Sequence, residues 1–196
     1  MRIQTTGKFI LASASPRRAD LLKLLGLRFE CIPSAIDETF LGDETPEEHV
    51  LRLASEKALA VSRRYPKAWV LGADTVVIIQ DEILGKPRTP DEARGMLSKL
   101  SGKEHTVFTG FAVSRRERNI LVQDISRSSV LFKKITEEEL AWYVDLAEPY
   151  DKAGGYAVQG ASSFFVREIH GSYTNVMGLP LCEVVDTLKA MGAIKF

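Results

Sequence analysis

Three times along the chain a hydroxyl residue is followed at once by proline, at Ser15-Pro16, Thr45-Pro46 and Thr89-Pro90, and each pair opens a segment of helical texture. No other feature restricts the fold as much. A hydroxyl at the N-cap can accept a hydrogen bond from an orphaned N–H of the first turn, and proline just inside loses nothing, because its own N–H would have no partner there. The first segment closes on Gly26 as a C-cap. The second carries Glu48 three residues after Thr45, completing a capping box, and runs to about Tyr65 before Pro66 stops it. The third ends near Leu100-Ser101-Gly102. Thr136 with Glu139 repeats the box for a fourth helix through Leu146, and a last helix is expected from Pro180 to Gly192.

Strand-like runs fill the intervals. "KFILAS" (8–13) reads as a short buried strand, and "RFECIPSAIDE" (28–38) as a second strand and loop. "AWVLGADTVVII" (68–79) reads as two apolar segments around a Gly-Ala-Asp-Thr centre, followed by a "QDEI" turn. "HTVFTGFAVSRR" and "ILVQDISRSSVLFKKI" read as a long hairpin about "ERN" (117–119), and "SFFVREI" (163–169) as a late strand. Helices alternate with strands while hairpins interrupt the series, which predicts an α/β or α+β architecture with a mixed, twisted sheet and flanking helices.

Composition removes several function classes. Lys plus Arg equals Asp plus Glu at 26 each, so there is no basic footprint for gripping a nucleic-acid polymer. No apolar run approaches membrane-spanning length, and the N-terminus lacks a cleavable leader pattern. Cys31 and Cys182, far apart and without metal-type spacing, fit a reducing cytoplasm.

Against this neutral background the charged residues of interest are local. "SASPRR" (13–18) gathers Ser13, Ser15, Arg17 and Arg18 at a helix N-terminus, where unpaired N–H groups and the helix dipole already favour an anion; the hydroxyls and guanidinium forks suit phosphate oxygens. A capped surface helix with two solvated arginines would have the same sequence. Winding 46–65 at 100° per residue places Lys57 in the middle of the apolar stripe of Val50, Leu53, Ala54 and Val61, so its ammonium must snorkel outward or meet an anion. Asp74 lies within an apolar run, where an ionised carboxylate needs a cation, donors or water. It is a candidate general base or ligand for a divalent metal, with a turn-capping aspartate as the alternative. Glu38 or its neighbour Asp37 is the second carboxylate. "GKP" supplies Lys86, and "EPYDKAGGY" supplies Asp151 and Lys152 among glycines.

In order, "LASASPRRADLL", "IDE", "ASEKA", "LGADTVV", "GKP", "SG" before "HTVFTG", "EPYDKAGGYAVQG" and "GSYTNVMGLPL" resemble the successive motifs of the Maf family of nucleoside triphosphate pyrophosphatases, across nearly the whole chain. The resemblance implies one domain over residues 1–196, a fold like that of inosine triphosphate pyrophosphatases with two lobes around a nucleotide cleft, and often a homodimer. It implies hydrolysis of a nucleoside triphosphate to monophosphate and pyrophosphate with a divalent metal, Mg2+ or Mn2+. Asp74 matches the catalytic aspartate, and Ser13, Arg18, Glu38, Lys57 and Lys86 match the polar residues of the cleft, Glu38 and Asp74 being the expected metal ligands. Arg17, Thr75 and Gln159 match the positions tied to base selection in the branch acting on dTTP and UTP. The alternative role is a non-catalytic nucleotide-binding regulator of cell division and septum formation.

Overall fold

The computed structural model describes residues 3–196. In chain order the elements are β1 (Gln4–Thr5), β2 (Phe9–Leu11), α1 (Pro16–Leu24), β3 (Glu30–Cys31), α2 (Pro46–Arg64), β4 (Trp69–Ile79), β5 (Glu82–Leu84), α3 (Pro90–Leu100), β6 (Glu104–Arg115), β7 (Ile120–Phe132), α4 (Glu137–Val144), β8 (Val166–His170), α5 (Tyr173–Val176), α6 (Leu181–Ala190) and β9 (Ile194–Lys195). The main sheet has the order β3-β2-β4-β6-β7-β8, with β5 pairing β4. It is mixed, as expected: β2 is parallel to β3 and to β4, whereas β4–β5 and β7–β8 are antiparallel. The chain divides into two compact units. The first comprises the residues up to Asp74, Thr109–Ser126 and Gly178–Phe196; the second comprises Thr75–Phe108 and Arg127–Met177.

All three proline-led helices begin at their prolines. Thr45 and Thr136 close full capping boxes with Glu48 and Glu139, and Thr89 accepts from the Glu92 N–H. Ser15 occupies the N-cap position of α1 but makes no side-chain cap bond. The first-turn N–H groups there receive nothing from it.

In the first unit, Ile10, Val70 and Ala112 of the strands and Ala12 just past β2 pack with Ala54, Ala58 and Val61 of α2. The alanines are a geometric requirement. A Cβ on Gly72 of β4 would stand 2.3 Å from the Ala54 carbonyl oxygen and 2.8 Å from the Ala58 nitrogen, and one on Gly110 of β6 would stand 2.6 Å from the Val50 carbonyl. Backbone therefore lies directly on backbone, and glycine is what permits it. This explains a departure from expectation. Gly72 does not break "WVLGADTVVII" into two segments; β4 runs unbroken through it for 11 residues, because the glycine answers a close approach and not a turn. The expected turn comes later, at Gln80 and Asp81, whose positive φ angles of 50° and 65° join β4 to β5.

The second unit has a separate core, in which Val77, Leu97, Val107, Phe132, Tyr143 and Phe165 are fully buried or nearly so. Two further expectations are corrected. The late strand begins only at Val166, since Ala161–Phe165 winds into a 3-10 turn that buries Phe165, and the segment after Arg28 pairs over only two residues. Strand β1, strand β9 and the one-turn helix α5 are too short for periodicity to reveal.

Candidate active site

The side chains of interest in the first unit are brought together by the contact of α2 with β4. Successive residues of a strand face opposite sides, so Gly72 and Asp74 look the same way, toward α2. Since Ala54 and Ala58 sit on Gly72, Lys57 is carried to Asp74: its Nζ donates to Asp74 Oδ1 at 2.7 Å and lies 2.8 Å from Glu38 Oε1. The lysine on the apolar stripe thus meets an anion rather than snorkelling. Only 6% of its side chain is exposed, against 11% for Asp74 and 52% for Glu38. An ammonium so far from water costs several kcal/mol to desolvate, which two charge-assisted bonds can offset and one missing carboxylate would not.

Glu38 reaches Lys57 because its loop is tied down. Asp37, the other candidate carboxylate, is used locally: its Oδ1 accepts from the Thr39 N–H at 2.9 Å and from the Thr39 hydroxyl at 2.5 Å. Further along, the half-buried Glu44 carboxylate receives a two-pronged bond from Arg52 of α2, 2.8 Å from Nε and 2.7 Å from Nη2, and stands 2.5 Å from His49 Nδ1. Arg52 Nη2 also donates to the Thr39 carbonyl at 3.1 Å. The guanidinium holds the Glu44 carboxyl far below the usual carboxylate range. This clamp escaped the sequence reading, although Thr45, Pro46 and Glu48 mark the start of α2 immediately beside it.

Strand β2 delivers the residues of "SASPRR". Its parallel register sets Leu11 beside Leu71, and the Ala12 N–H donates to the Leu71 carbonyl at 2.8 Å; Ser13 follows two residues after the end of the strand. Ser13 Oγ accepts from the Ser15 N–H and from Arg18 Nη1, each at 3.2 Å. Arg18 is buried and gives its Nε to the Gly178 carbonyl at 2.7 Å, which ties the start of α1 to the segment before α6. Burial lowers the affinity of this guanidinium for its proton and Arg17 acts in the same sense, while the negative charges of Asp74 and Glu38 oppose them. Arg18, Lys57, Asp74 and Glu38 therefore share one electrostatic environment. Ser15 and Arg17 are half-buried beside them in sequence.

The second unit holds the remaining three candidates. Thr75, half-buried, follows Asp74 in β4. Lys86 is exposed in the loop after β5, where the Gly154 N–H donates to the Gly85 carbonyl at 2.9 Å and joins that loop to the segment 152–155. Gln159 is exposed, and among the described residues its amide makes no hydrogen bond. Lys152 is buried and its ammonium is already taken, by the Glu148 carbonyl at 2.7 Å and by Asp151 Oδ1 at 2.5 Å.

Among the described residues no group of three or more His, Cys, Asp or Glu side chains could enclose a metal ion. Asp74 and Glu38, however, converge on a single cation position, and two hard carboxylates are the share of ligands a protein commonly gives to an ion whose other ligands are phosphate oxygens and water.

A family model described as "Maf-like protein" matches residues 8–191. The chain is 62% identical to the dTTP/UTP pyrophosphatase of Syntrophus aciditrophicus over 97% of its own length and 93% of that protein's. It is 49% identical to the dTTP/UTP pyrophosphatase of Geotalea uraniireducens, over 98% of this chain and all of that one. Among solved structures, the Staphylococcus aureus Ham1 protein is similar with a TM-score of 0.54 over 94% of this chain and 97% of that one, at 12% identity, which is a likeness of fold. No helix among the described residues is long and apolar enough to cross a membrane.

Proposed function

The chain belongs to the Maf family, and from that premise we propose that it hydrolyses dTTP and UTP to the nucleoside monophosphate and pyrophosphate. The relatives quoted above carry that activity in their names. The observation that supports it most is the buried Lys57 held between Asp74 and Glu38 beside buried Arg18, an alternation of charge suited to a polyphosphate and unusual in a structural core.

In this reading a water molecule adds to the α-phosphorus, the bond from that phosphorus to the bridging oxygen breaks, and pyrophosphate departs. Asp74 orients the water and accepts its proton. Lys57 fixes the Asp74 carboxylate in place through Oδ1. Arg18, Lys57 and Lys86 neutralise the charge that accumulates on the leaving pyrophosphate, while Ser13, Ser15 and the N-terminus of α1 bind phosphate oxygens. Mg2+ or Mn2+, held by Glu38, Asp74 and the phosphates, would add Lewis-acid charge neutralisation. Arg17, Thr75 and Gln159 select the base: the Gln159 amide offers a donor and an acceptor to a pyrimidine edge, and a base of the wrong pattern leaves those groups unpaired. Most of the rate enhancement is then positioning and electrostatics, without a covalent intermediate. In the same reading the chain works in the cytoplasm, which the free, exposed thiols of Cys31 and Cys182 support.

The test is a panel of nucleoside triphosphates assayed for pyrophosphate with and without added Mg2+ or Mn2+, on the wild type and on Asp74→Asn. The expected result is metal-stimulated release from dTTP and UTP above that from GTP and ATP, and a loss of roughly 10²-fold or more in the variant. Full activity in Asp74→Asn would refute the assignment of the base.

A further inference from the structure

Residues 157–162, Ala-Val-Gln-Gly-Ala-Ser, form a loop whose two ends are closed on each other. Ser162 is fully buried, and its Oγ lies 3.0 Å from the Ala157 nitrogen and 2.9 Å from the Ala157 oxygen. Gln159 and Gly160 are the exposed tip. What holds that tip is a carboxylate from another part of the second unit. Glu148 Oε2 accepts from the Ala161 N–H at 2.9 Å, and its Oε1 accepts from the Ser162 hydroxyl at 3.1 Å and the Ser162 N–H at 3.4 Å. The Tyr143 hydroxyl, fully buried at the end of α4, lies 3.2 Å from Glu148 Oε1 and 3.0 Å from Ser162 Oγ. Glu148 is itself anchored, since its backbone carbonyl receives the buried Lys152 ammonium at 2.7 Å.

The loop is built around this side chain. Gly160 has φ of +106°, a conformation L residues rarely adopt, and a Cβ there would meet the Glu148 carboxylate at 2.7 to 2.9 Å. Every group directed at the carboxylate can donate a proton, two of them being the backbone N–H groups of Ala161 and Ser162. Burial pushes the Glu148 carboxyl up, but these donors outweigh it and hold it below its ordinary value. All of these groups belong to the second unit, and the role of Glu148 lies outside the hydrolytic machinery already described.

We propose that Glu148 is the positioning residue of the base-reading loop: by fixing the backbone of Gly160–Ser162 it presents Gln159 to the pyrimidine in one conformation. This rests on the reading of Gln159 as a base-selecting residue. A preorganised loop loses less freedom on binding, so the gain should fall on those substrates whose base Gln159 reads, and not on the triphosphate tail common to all.

The experiment replaces Glu148 with Gln, which keeps the shape but turns an NH2 toward N–H donors. It compares kcat/KM for dTTP and GTP and measures inhibition by inorganic triphosphate, a probe without a base. The expected result is a fall of roughly tenfold or more in the dTTP-to-GTP ratio, carried by KM for dTTP, with the inhibition constant of triphosphate within about twofold of wild type. Tyr143→Phe removes one neighbour of the carboxylate and should move the ratio the same way by less, which keeps the test decisive if Glu148→Gln does not fold. An unchanged ratio in a folded variant, or an equal loss toward dTTP, GTP and triphosphate, overturns the proposal. A wild type with no preference for dTTP over GTP would instead overturn the reading of Gln159.

Discussion

Replacing Gly72 with alanine should damage stability and catalysis together, because one glycine sets both the packing of α2 and the reach of Lys57. The new methyl carbon would stand 2.3 Å from the Ala54 carbonyl oxygen and 2.8 Å from the Ala58 nitrogen. A carbon and a carbonyl oxygen come no closer than about 3.3 Å even in a weak C–H···O contact, so helix and strand must separate locally by about 1 Å. The obstacles are backbone atoms, and no rotamer change can relieve them. Overpacking of this kind costs about 1–3 kcal/mol, and the upper end applies when the backbone itself must move. Lys57 precedes Ala58 directly, so the same displacement opens its 2.7 Å bond to Asp74. A misplacement of about 1 Å in a positioned group can cost on the order of 10²-fold in rate, equivalent to about 2.7 kcal/mol of transition-state stabilisation. Denaturant unfolding and pyrophosphate release from dTTP measure the two effects on one preparation. Gly95→Ala is the control: its Cβ meets nothing within 4 Å in α3, and it should stabilise by roughly 0.5–1 kcal/mol with activity intact. Wild-type stability and activity in Gly72→Ala would show that β4 and α2 do not rest on each other at this residue.

Lys57→Met leaves the buried Asp74 carboxylate without its cation and should cost roughly 3–5 kcal/mol in denaturant unfolding; adding Asp74→Leu should restore most of the stability and none of the hydrolysis. His105, buried with Nε2 2.7 Å from the Tyr156 hydroxyl, has its pKa pushed down to about 4 by burial, so above the ordinary pKa of about 6.5 it is neutral in both the folded and unfolded states. Below that value the unfolded chain takes up the proton first, and stability should fall as pH drops from about 6.5 toward 4, by up to about 3 kcal/mol. Urea unfolding against pH reads this slope, and His105→Gln should flatten it; an equal slope in the variant would assign the acid sensitivity to other groups.

Local chemistry alone made much of the architecture legible. Pro16, Pro46 and Pro90 marked the helix starts because a fixed φ and a missing N–H act within one turn, whatever surrounds them. Asp74 in an apolar run and Lys57 on an apolar stripe announced themselves by the cost of burying charge, which is a property of the residue and its neighbours in sequence. The choice between Asp37 and Glu38 was not decidable at that level, since the two are adjacent and chemically alike. In the fold it is Glu38 that meets Lys57, while Thr39 occupies Asp37 and the Arg52–Glu44 clamp ties down the loop beyond them.

Where a residue's role depends on something distant, sequence was silent or wrong. Gly72 suggested a break in β4 because glycine commonly marks turns, and only the arrival of α2 shows that the missing side chain is needed for contact. Likewise nothing in "EPYDKAGGY" singled out Glu148, whose significance comes from donors 13 and 14 residues further on that the fold turns toward it. The sequence by itself therefore determined the helix starts, the mixed α/β character and which charges could not be left unpaired, since these follow from energies acting over a few residues. Which distant partner Lys57, Arg18 and Glu148 received was decided by tertiary structure, because hydrogen bonds and ion pairs act over about 3 Å and only the folded backbone brings atoms so far apart in sequence that close.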